Sequence, residues 1–190
     1  VIARVYDLTK EEKYREKAKS IADFAISYQL PSGLWNYEID LKSGKELAQT
    51  DFHQGYVLES ISEIAKYADI ESGEYEKAIT KGLEYYRKEQ FYENGQSLWR
   101  IPKIYPVEIH NQSQGVITFA LLKKYNPEYF DFAKKIAEWT IENMQSKRDG
   151  HFYYRKTKHF DIKIPFMRWS QAWMFLALAR LQYESKKSEK

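Results

Sequence analysis

Three short segments of the sequence carry side chains that could move a proton or bind a sugar. The first holds Asp51 and His53 and the second holds His110, and carboxyl and imidazole groups are the usual general acids and bases of enzymes. The third holds Arg168, whose guanidinium can bind a carboxylate through two parallel hydrogen bonds. We therefore predict Asp51, His53 and His110 as catalytic residues and Arg168 as the clamp for an anionic group.

Most of these residues also have a structural interpretation. Asp51 or the preceding Thr50 could cap the helix that follows, and Asn111 could do the same in the second segment. A histidine could simply be hydrogen-bonded within its loop. Arg168 has no such explanation, because a cation at a helix start is disfavoured by the helix dipole. At Asp51 the sequence leaves catalysis and capping open.

Aromatic residues crowd the loops near these segments. The chain holds five Trp, 16 Tyr and 10 Phe, and flat aromatic faces can stack on the apolar C–H surfaces of sugar rings. The predicted substrate-binding residues combine such faces with polar side chains: Arg168, Trp35, Trp99, Asn111, Gln112, Trp169 and Tyr153. The alternative is that many of these aromatic rings only pack the loops onto the helices beneath them.

An internal repeat of 55 to 62 residues indicates which elements must position these side chains. Each copy contains a helical stretch, a Gly-led aromatic turn and a second helical stretch. The turns begin at Gly33, Gly95 and Gly150, and the second stretches are entered at Gln54, Gln114 and Gln171. Because one residue type recurs in one slot, we interpret these glycines and glutamines as architectural.

The two helical stretches of each copy differ in their apolar pattern. The first stretches cover about 10–29, 73–91 and 127–146, and the second cover about 51–67, 111–125 and 168–183. Apolar residues spaced three and four apart among charges predict half-exposed outer helices for the first stretches, whereas apolar residues around most of the circumference predict buried inner helices for the second. The sequence thus predicts an all-α fold of three αα-hairpins, six helices plus the end of a preceding one.

One segment of the third copy adds a family resemblance. Residues 167–173 read Met-Arg-Trp-Ser-Gln-Ala-Trp, which is similar to the Arg-Gly-Gln-Ala-Trp stretch opening an inner helix in unsaturated glucuronyl hydrolases, with Trp-Ser where the family has Gly. The resemblance implies a partial α/α toroid of the six-hairpin glycosidase-like superfamily, whose members usually close a ring from six hairpins. We therefore expect residues 1–190 to form a single domain, the C-terminal half of a larger toroid completed by a missing N-terminal half or by self-association.

The resemblance and the candidate residues together predict a carbohydrate-active enzyme. We expect hydrolase-like acid/base chemistry on an acidic, uronate-containing saccharide at the mouth of the toroid. Ordinary glycoside hydrolysis needs two carboxylates flanking the bond, and besides Asp51 only Glu38 and Glu108 lie near the predicted mouth, so a polysaccharide lyase or a sugar epimerase stays open. A non-catalytic helical-hairpin module that binds glycan or protein is the alternative from another class.

The composition argues against several other classes. The chain has 190 residues and no cysteine, which removes disulfides, thiol nucleophiles and Cys-based metal sites. Two histidines without a carboxylate cluster make a poor metal site, so we predict no metal and no cofactor. The net charge of +3 is spread among interleaved acids, which argues against nucleic acid. No apolar run approaches the roughly 18 residues of a membrane span, so we expect a soluble, cytoplasmic protein without a membrane partner.

Overall fold

The computed structural model describes residues 1–188 and contains seven α-helices among them. They are α1 (Ile2–Thr9), α2 (Glu12–Ser27), α3 (His53–Tyr67), α4 (Gly73–Gln90), α5 (Ile109–Leu121), α6 (Glu128–Met144) and α7 (Trp173–Ser188). Within the first unit α2 contacts α3, and within the second unit α6 contacts α7. The predicted all-α hairpin architecture, a partial α/α toroid, is confirmed.

Short strands tie the loops between the helices. The strands β1 (Glu38–Ile39) and β2 (Glu46–Leu47) form an antiparallel hairpin between α2 and α3. The strands β3 (Val107–Glu108), β4 (Arg155–Lys156) and β5 (Asp161–Ile162) form an antiparallel sheet in the order β3-β4-β5. Each strand is two residues long, so these sheets brace loops and do not form a core.

A π-helical turn (Met167–Ala172) leads into α7. The backbone N–H groups of Ser170 and Gln171 both donate to the Phe166 carbonyl, at 2.9 and 3.2 Å, so the second bond spans five residues where an α-helix spans four. Such a turn accommodates one extra residue in a helix.

The chain divides into two compact units, Val1–Arg87 and Lys88–Lys190. In the first unit α1, α2 and α3 pack on one another, with a core that includes Ala3, Ala18 and Ala68. In the second unit α5 packs against both α6 and α7. Its core includes Val107, Ile109, Met144, Phe152 and Met174.

The inner helices differ in how far they are covered. Every residue of α5 from Ile109 to Ala120 is buried, as expected for an inner helix. In α7, by contrast, Phe175 is 77% exposed and Leu176 is 45% exposed, so the expectation of burial on most sides is wrong for α7 within the described chain. Among residues 1–188, no helix is long and apolar enough to cross a membrane.

Two of the three turn glycines are required by space as well as by backbone angle. Gly33 and Gly95 have φ values of +98° and +92°, and a Cβ would lie 2.3 Å from the Lys81 carbonyl oxygen in the first case and 2.7 Å from the Lys135 carbonyl oxygen in the second. These turns therefore pack directly onto a helix backbone. Gly150 has a φ of +77° but open space around its Cβ position.

The contrast between Gly95 and Gly150 predicts unequal losses of stability. Placing Ala in the left-handed region costs about 1–2 kcal/mol at either position. Only at Gly95 does the new methyl group also meet backbone atoms that cannot move aside, which adds about 1–3 kcal/mol. Urea unfolding should therefore show a lower free energy of unfolding for Gly95→Ala than for Gly150→Ala. Equal losses in the two variants would contradict the close packing.

Candidate active site

The loop before α3 brings Asp51 and His53 into direct contact. The Asp51 Oδ1 atom accepts a hydrogen bond from the backbone N–H of His53 at 3.1 Å and lies 2.6 Å from the His53 ring Nδ1. The second carboxylate oxygen, Oδ2, accepts a hydrogen bond from Gln49 Nε2 at 2.6 Å. Since His53 is the first residue of α3, one carboxylate both holds the helix start and orients the imidazole.

Burial and hydrogen bonding act in opposite directions on Asp51. The side chain is only 4% exposed, and burial raises the pKa of its carboxyl group. The hydrogen bonds from His53 and Gln49, together with the charge of His53, outweigh burial, so the pKa of Asp51 lies below its usual value. Asp51 is therefore a buried carboxylate at neutral pH, and it is absent from the pocket lining. We correct its predicted role from direct proton exchange with a ligand to positioning of His53.

His53 lines a pocket of about 150 Å³ in the first unit. With Nδ1 donating to Asp51, the other ring nitrogen Nε2 is left as an acceptor, and it has no hydrogen-bond partner within residues 1–188. The imidazole meets Tyr37 edge-on at 4.7 Å and stacks on Phe52 at 4.3 Å between ring centroids. The pocket is below the roughly 300 Å³ typical of larger ligands, so it suits one sugar ring or part of one.

Tyr56 lines the same pocket. Burial raises the pKa of the Tyr56 phenol, and the charges of Glu59 and Asp51 raise it further, so the group stays protonated and can donate a hydrogen bond. Sequence reasoning missed Tyr56. Its spacing of three residues from His53 on one helix was the available signal.

Trp35 lines this pocket but is largely part of the core. It is 8% exposed, its Nε1–H donates to the Ala25 carbonyl at 2.8 Å, and its ring lies where a Cβ on Gly82 would have to fit. Trp35 therefore forms a fixed wall of the pocket. The predicted open stacking face is offered instead by Tyr37, which is 45% exposed.

A glutamine at the start of each inner helix holds the preceding turn. In the first unit Gln54 Oε1 accepts the Trp35 backbone N–H at 3.2 Å, and Gln54 Nε2 donates to the Gly33 carbonyl at 3.0 Å. In the third repeat Gln171 makes the same paired contact with the backbone N–H and carbonyl of Phe152, at 3.0 and 2.7 Å. The architectural interpretation of these two glutamines agrees with the contacts.

In the second repeat the turn is held by Gln112, whereas the sequence pattern indicated Gln114. Gln112 Oε1 accepts the Ser97 backbone N–H at 2.7 Å, and its Nε2 donates to the Gly95 carbonyl at 3.2 Å and to Thr140 Oγ1 at 2.9 Å. The side chain is fully buried. Its amide is thus engaged by its own loop and by Thr140, and its contact with a substrate stays a prediction.

Asn111 and Trp99 belong to the same loop system. Asn111 is buried, and its Nδ2 donates to the carbonyls of Leu98 and Trp99 at 2.8 and 2.9 Å, so its predicted contact with a ligand is corrected to support of the Trp99 loop. The half-buried Trp99 ring has the guanidinium groups of Arg100 and Arg155 at 4.7 and 5.9 Å from its centroid. Trp99 is therefore a cation-flanked aromatic surface.

Glu108 is tied into an ion pair next to this ring. Arg155 donates from Nε and Nη2 to the same Glu108 oxygen, at 3.1 and 2.8 Å, across the β3–β4 pair. The carboxylate is nearly buried. Glu108 is thus held by Arg155, whereas a second hydrolytic carboxylate would have to face the substrate.

His110 lies beneath the start of α7. It is 2% exposed, with ring centroids 4.7 Å from Trp173 and 5.4 Å from Trp169. His110 thus packs against two indoles, and its proton-transfer role stays a prediction. Trp169 is 41% exposed, and the exposed Arg168 guanidinium lies 5.0 Å from its centroid. Among residues 1–188 no carboxylate forms an ion pair with Arg168, which leaves it available to an anion.

The remaining predicted contact, Tyr153, lies on the loop before β4. Its half-buried ring packs against His151 at 5.6 Å, with the Lys163 ammonium 5.3 Å from its centroid. The predicted residues thus lie in both units, with Trp35, Asp51 and His53 in the first and the others in the second. Their convergence on one cavity stays a prediction. Within the described chain, no three His, Asp or Glu side chains are grouped to hold a metal ion.

Solved structures with the same fold place this arrangement in context. The chain superimposes over 97% of its length on a cellobiose 2-epimerase from Bacillus thermoamylovorans, with a TM-score of 0.78 and 12% identity, and covers 50% of that chain. An unsaturated glucuronyl hydrolase from Bacillus sp. matches over 95% of this chain and 52% of its own, with a TM-score of 0.71 and 15% identity. A family 105 glycoside hydrolase from C. acetobutylicum matches over 95% of this chain and 50% of its own, with a TM-score of 0.69 and 16% identity.

The chain shares the fold of these solved structures. The chain spans about half the length of these solved chains. No protein-family model matches the sequence, and no curated protein matches it.

The lowered pKa of Asp51 predicts a pH-dependent contribution to stability. Because folding lowers the pKa of this carboxyl group below its reference value of about 3.9, its contribution is complete above that value and is lost as the pH falls through the folded-state pKa. Asp51→Asn cannot titrate, so the stability difference between wild type and variant should shrink below about pH 4. Urea unfolding between pH 3 and 7 measures this difference.

The matched variant is Gln49→Leu, which removes one donor to Asp51. It should move the loss of stability to higher pH, because the carboxylate then has less hydrogen bonding to offset its burial. A difference between wild type and Asp51→Asn that is constant with pH would contradict the hydrogen-bonded carboxylate.

Proposed function

We propose that this chain is the proton-transfer part of an enzyme that acts on an acidic saccharide. The observation that carries the proposal is the Asp51–His53 pair, in which a buried carboxylate orients an imidazole that lines a pocket with aromatic walls. A base held by a hydrogen-bonded carboxylate and facing a sugar-sized pocket suits general acid/base catalysis. His53 is the proposed catalytic residue, and Asp51 positions it.

A second Asp-x-His pair in the chain shows why the surroundings matter. Asp149 and His151 have the same spacing and a similar Nδ1–Oδ1 distance of 2.7 Å. The carboxylate is 42% exposed in that pair, however, and the His151 Nε2 lies 3.2 Å from the Lys163 carbonyl. Both ring nitrogens of His151 are engaged, so this pair is a matched control for the proposed site.

The exposed Arg168 guanidinium supports an anionic group on the sugar. It lies against the Trp169 ring at 5.0 Å, so a sugar stacked on the indole would bring a uronate carboxylate within reach of the cation. An unsaturated glucuronyl hydrolase and a cellobiose 2-epimerase are both among the structures of similar fold. A uronate-containing saccharide is therefore the proposed substrate class.

Epimerisation is the second candidate reaction, and one observation favours it. Hydrolysis by the usual mechanism needs two carboxylates on either side of the bond. Of the three candidates, Asp51 is behind His53 and Glu108 is held by Arg155. The third, Glu38, is exposed on β1 and is absent from the lining of the His53 pocket. A histidine base without a facing carboxylate suits removal of a carbon-bound proton, which an epimerase returns to the opposite face of the same carbon and a lyase couples to departure of the leaving group.

The proton-transfer role of His53 is tested by turnover of uronate oligosaccharides. With the full-length protein, Asp51→Asn and His53→Gln should each lower kcat by about 10²- to 10⁴-fold, the usual contribution of a general base, with little change in substrate Kd. Asp149→Asn, the matched control, should keep its kcat. Products are followed by absorbance, which detects an unsaturated uronide, and by mass. Binding without turnover in the wild type would favour a glycan-binding module instead.

The anion-binding role of Arg168 is tested by comparing charged and neutral sugars. Arg168→Met should weaken binding of carboxylated sugars by about 1.5–3 kcal/mol, the scale of a charge-assisted hydrogen bond. Neutral sugars should bind as before, because Met keeps the apolar contact with Trp169. Isothermal titration with a matched pair of uronate and neutral oligosaccharides measures both. Equal weakening for the two sugars would reject the clamp.

A further inference from the structure

A basic segment surrounds the β4–β5 hairpin in the second unit. Residues 147–168 contain seven Lys and Arg against two Asp, a net charge of +5, whereas the whole chain has a net charge of +3. The other residues together are therefore slightly acidic. The expectation of evenly interleaved charge is wrong for this segment, which holds more than the whole excess of positive charge in the chain.

The cations of this hairpin fall into two classes. Arg155 and Lys156, within the strands, each form an ion pair with a carboxylate, at 2.8 and 3.2 Å. Lys158 and Lys163, in the turn and after β5, are exposed and form no ion pair within residues 1–188. The positive charge of the hairpin is therefore presented to solvent at its tip and outer end.

The hairpin turn is ordered by a threonine and holds an aromatic ring out in solvent. Thr157 Oγ1 accepts the backbone N–H groups of His159 and Phe160, at 3.2 and 2.9 Å, and donates to the Phe160 carbonyl at 2.6 Å. The Phe160 side chain is 64% exposed. The turn fixes the Phe160 backbone, so only the side-chain rotamer has to be ordered when a ligand stacks on the ring.

A second aromatic ring on the same segment lies directly beside one of the free cations. The Lys163 ammonium is 5.3 Å from the centroid of Tyr153. A sugar ring stacked near Tyr153 would therefore place an anionic substituent close to Lys163. We name the four side chains Tyr153, Lys158, Phe160 and Lys163 the hairpin surface.

We propose that the hairpin surface binds an extended anionic polysaccharide, outside the pocket that contains His53. The proposal rests on the proposed function for the choice of a saccharide. It adds that the substrate is a polymer, whose chain contacts the protein at a second place. Non-specific single-stranded nucleic acid binding needs a continuous basic groove along the backbone. The hairpin surface offers two separate free cations instead, Lys163 beside an aromatic ring and Lys158 on an ordered turn. Such an arrangement fits the spaced carboxylates of stacked sugars better than it fits a nucleic-acid backbone.

Binding of a polyuronate to a hairpin variant tests the proposal. The variant Lys158→Gln/Lys163→Gln is compared with Lys17→Gln/Lys66→Gln, which removes the same charge from the first unit. Lys66 is a close match for Lys163, since its ammonium also lies near a tyrosine ring, 4.9 Å from the centroid of Tyr67. The probe is fluorescently labelled alginate, with neutral dextran of similar length beside it, and binding is read by anisotropy at 20 and 150 mM NaCl.

Wild type and the Lys17→Gln/Lys66→Gln control should bind alginate within twofold of one another and should not bind dextran. The hairpin variant should bind at least fivefold more weakly, with a salt dependence reduced by about two counterions, one for each cation removed. Equal weakening in both double variants would overturn the proposal. Binding of an oligothymidylate in place of alginate would overturn it also, in favour of nucleic acid.

The experiment separates this surface from the proposed function. His53→Gln should retain alginate binding while losing turnover, because His53 lies in the other unit and outside the hairpin surface. Alginate binding that depends on Lys158 and Lys163, in a protein without turnover on any uronate, would overturn the proposed function and support the surface. Turnover of polyuronates, together with unchanged alginate binding by the Lys158→Gln/Lys163→Gln variant, would overturn the hairpin surface and support the proposed function.

Discussion

The glutamine that fastens each Gly-led turn to an inner helix is the interaction on which the rest of the structure depends. Gln54, Gln112 and Gln171 each use both ends of the amide, one to accept a backbone N–H and one to donate to a backbone carbonyl. A long loop passing close to a helix start would otherwise leave buried backbone groups without partners, each at a cost of about 1–3 kcal/mol. One side chain at each helix start thus satisfies the loop and fixes its path. Every candidate functional residue lies on such a loop or within a turn of such a glutamine.

A second rule follows from the contacts around these loops. The side chains exposed to a ligand are supported by buried polar or aromatic neighbours close in sequence or across a helix pair. His53 is oriented by Asp51, and Trp169 packs on His110. The supporting residue has no access to solvent, and its cost of burial is offset by the hydrogen bonds or ring contacts that it makes. Removing a support would loosen an exposed group without touching the ligand, so loss of activity by itself does not identify the residue that meets the substrate.

The sequence predicts the helices and their pairing well, because apolar periodicity and turn glycines are local signals. It predicts the site less well. Two glutamines two positions apart, Gln112 and Gln114, both lie in a helix that is buried around its whole circumference, and only the three-dimensional path of the turn decides which one reaches it. The Asp51–His53 contact was within reach of sequence reasoning, since the two residues flank a helix start. The burial of His110 was not, because it depends on Trp169 and Trp173, about sixty residues further along the chain.

The π-helical turn before α7 has a consequence for how such a site can change. A helix rotates by about 100° for each residue, so one extra residue in the turn swings everything before it around the helix axis relative to everything after it. Gln171 keeps its hold on the loop, while Arg168 and Trp169 face a different direction from the one an uninterrupted α-helix would give them. A change of length by one residue can therefore re-aim a cation and an indole together, without altering the helix behind them.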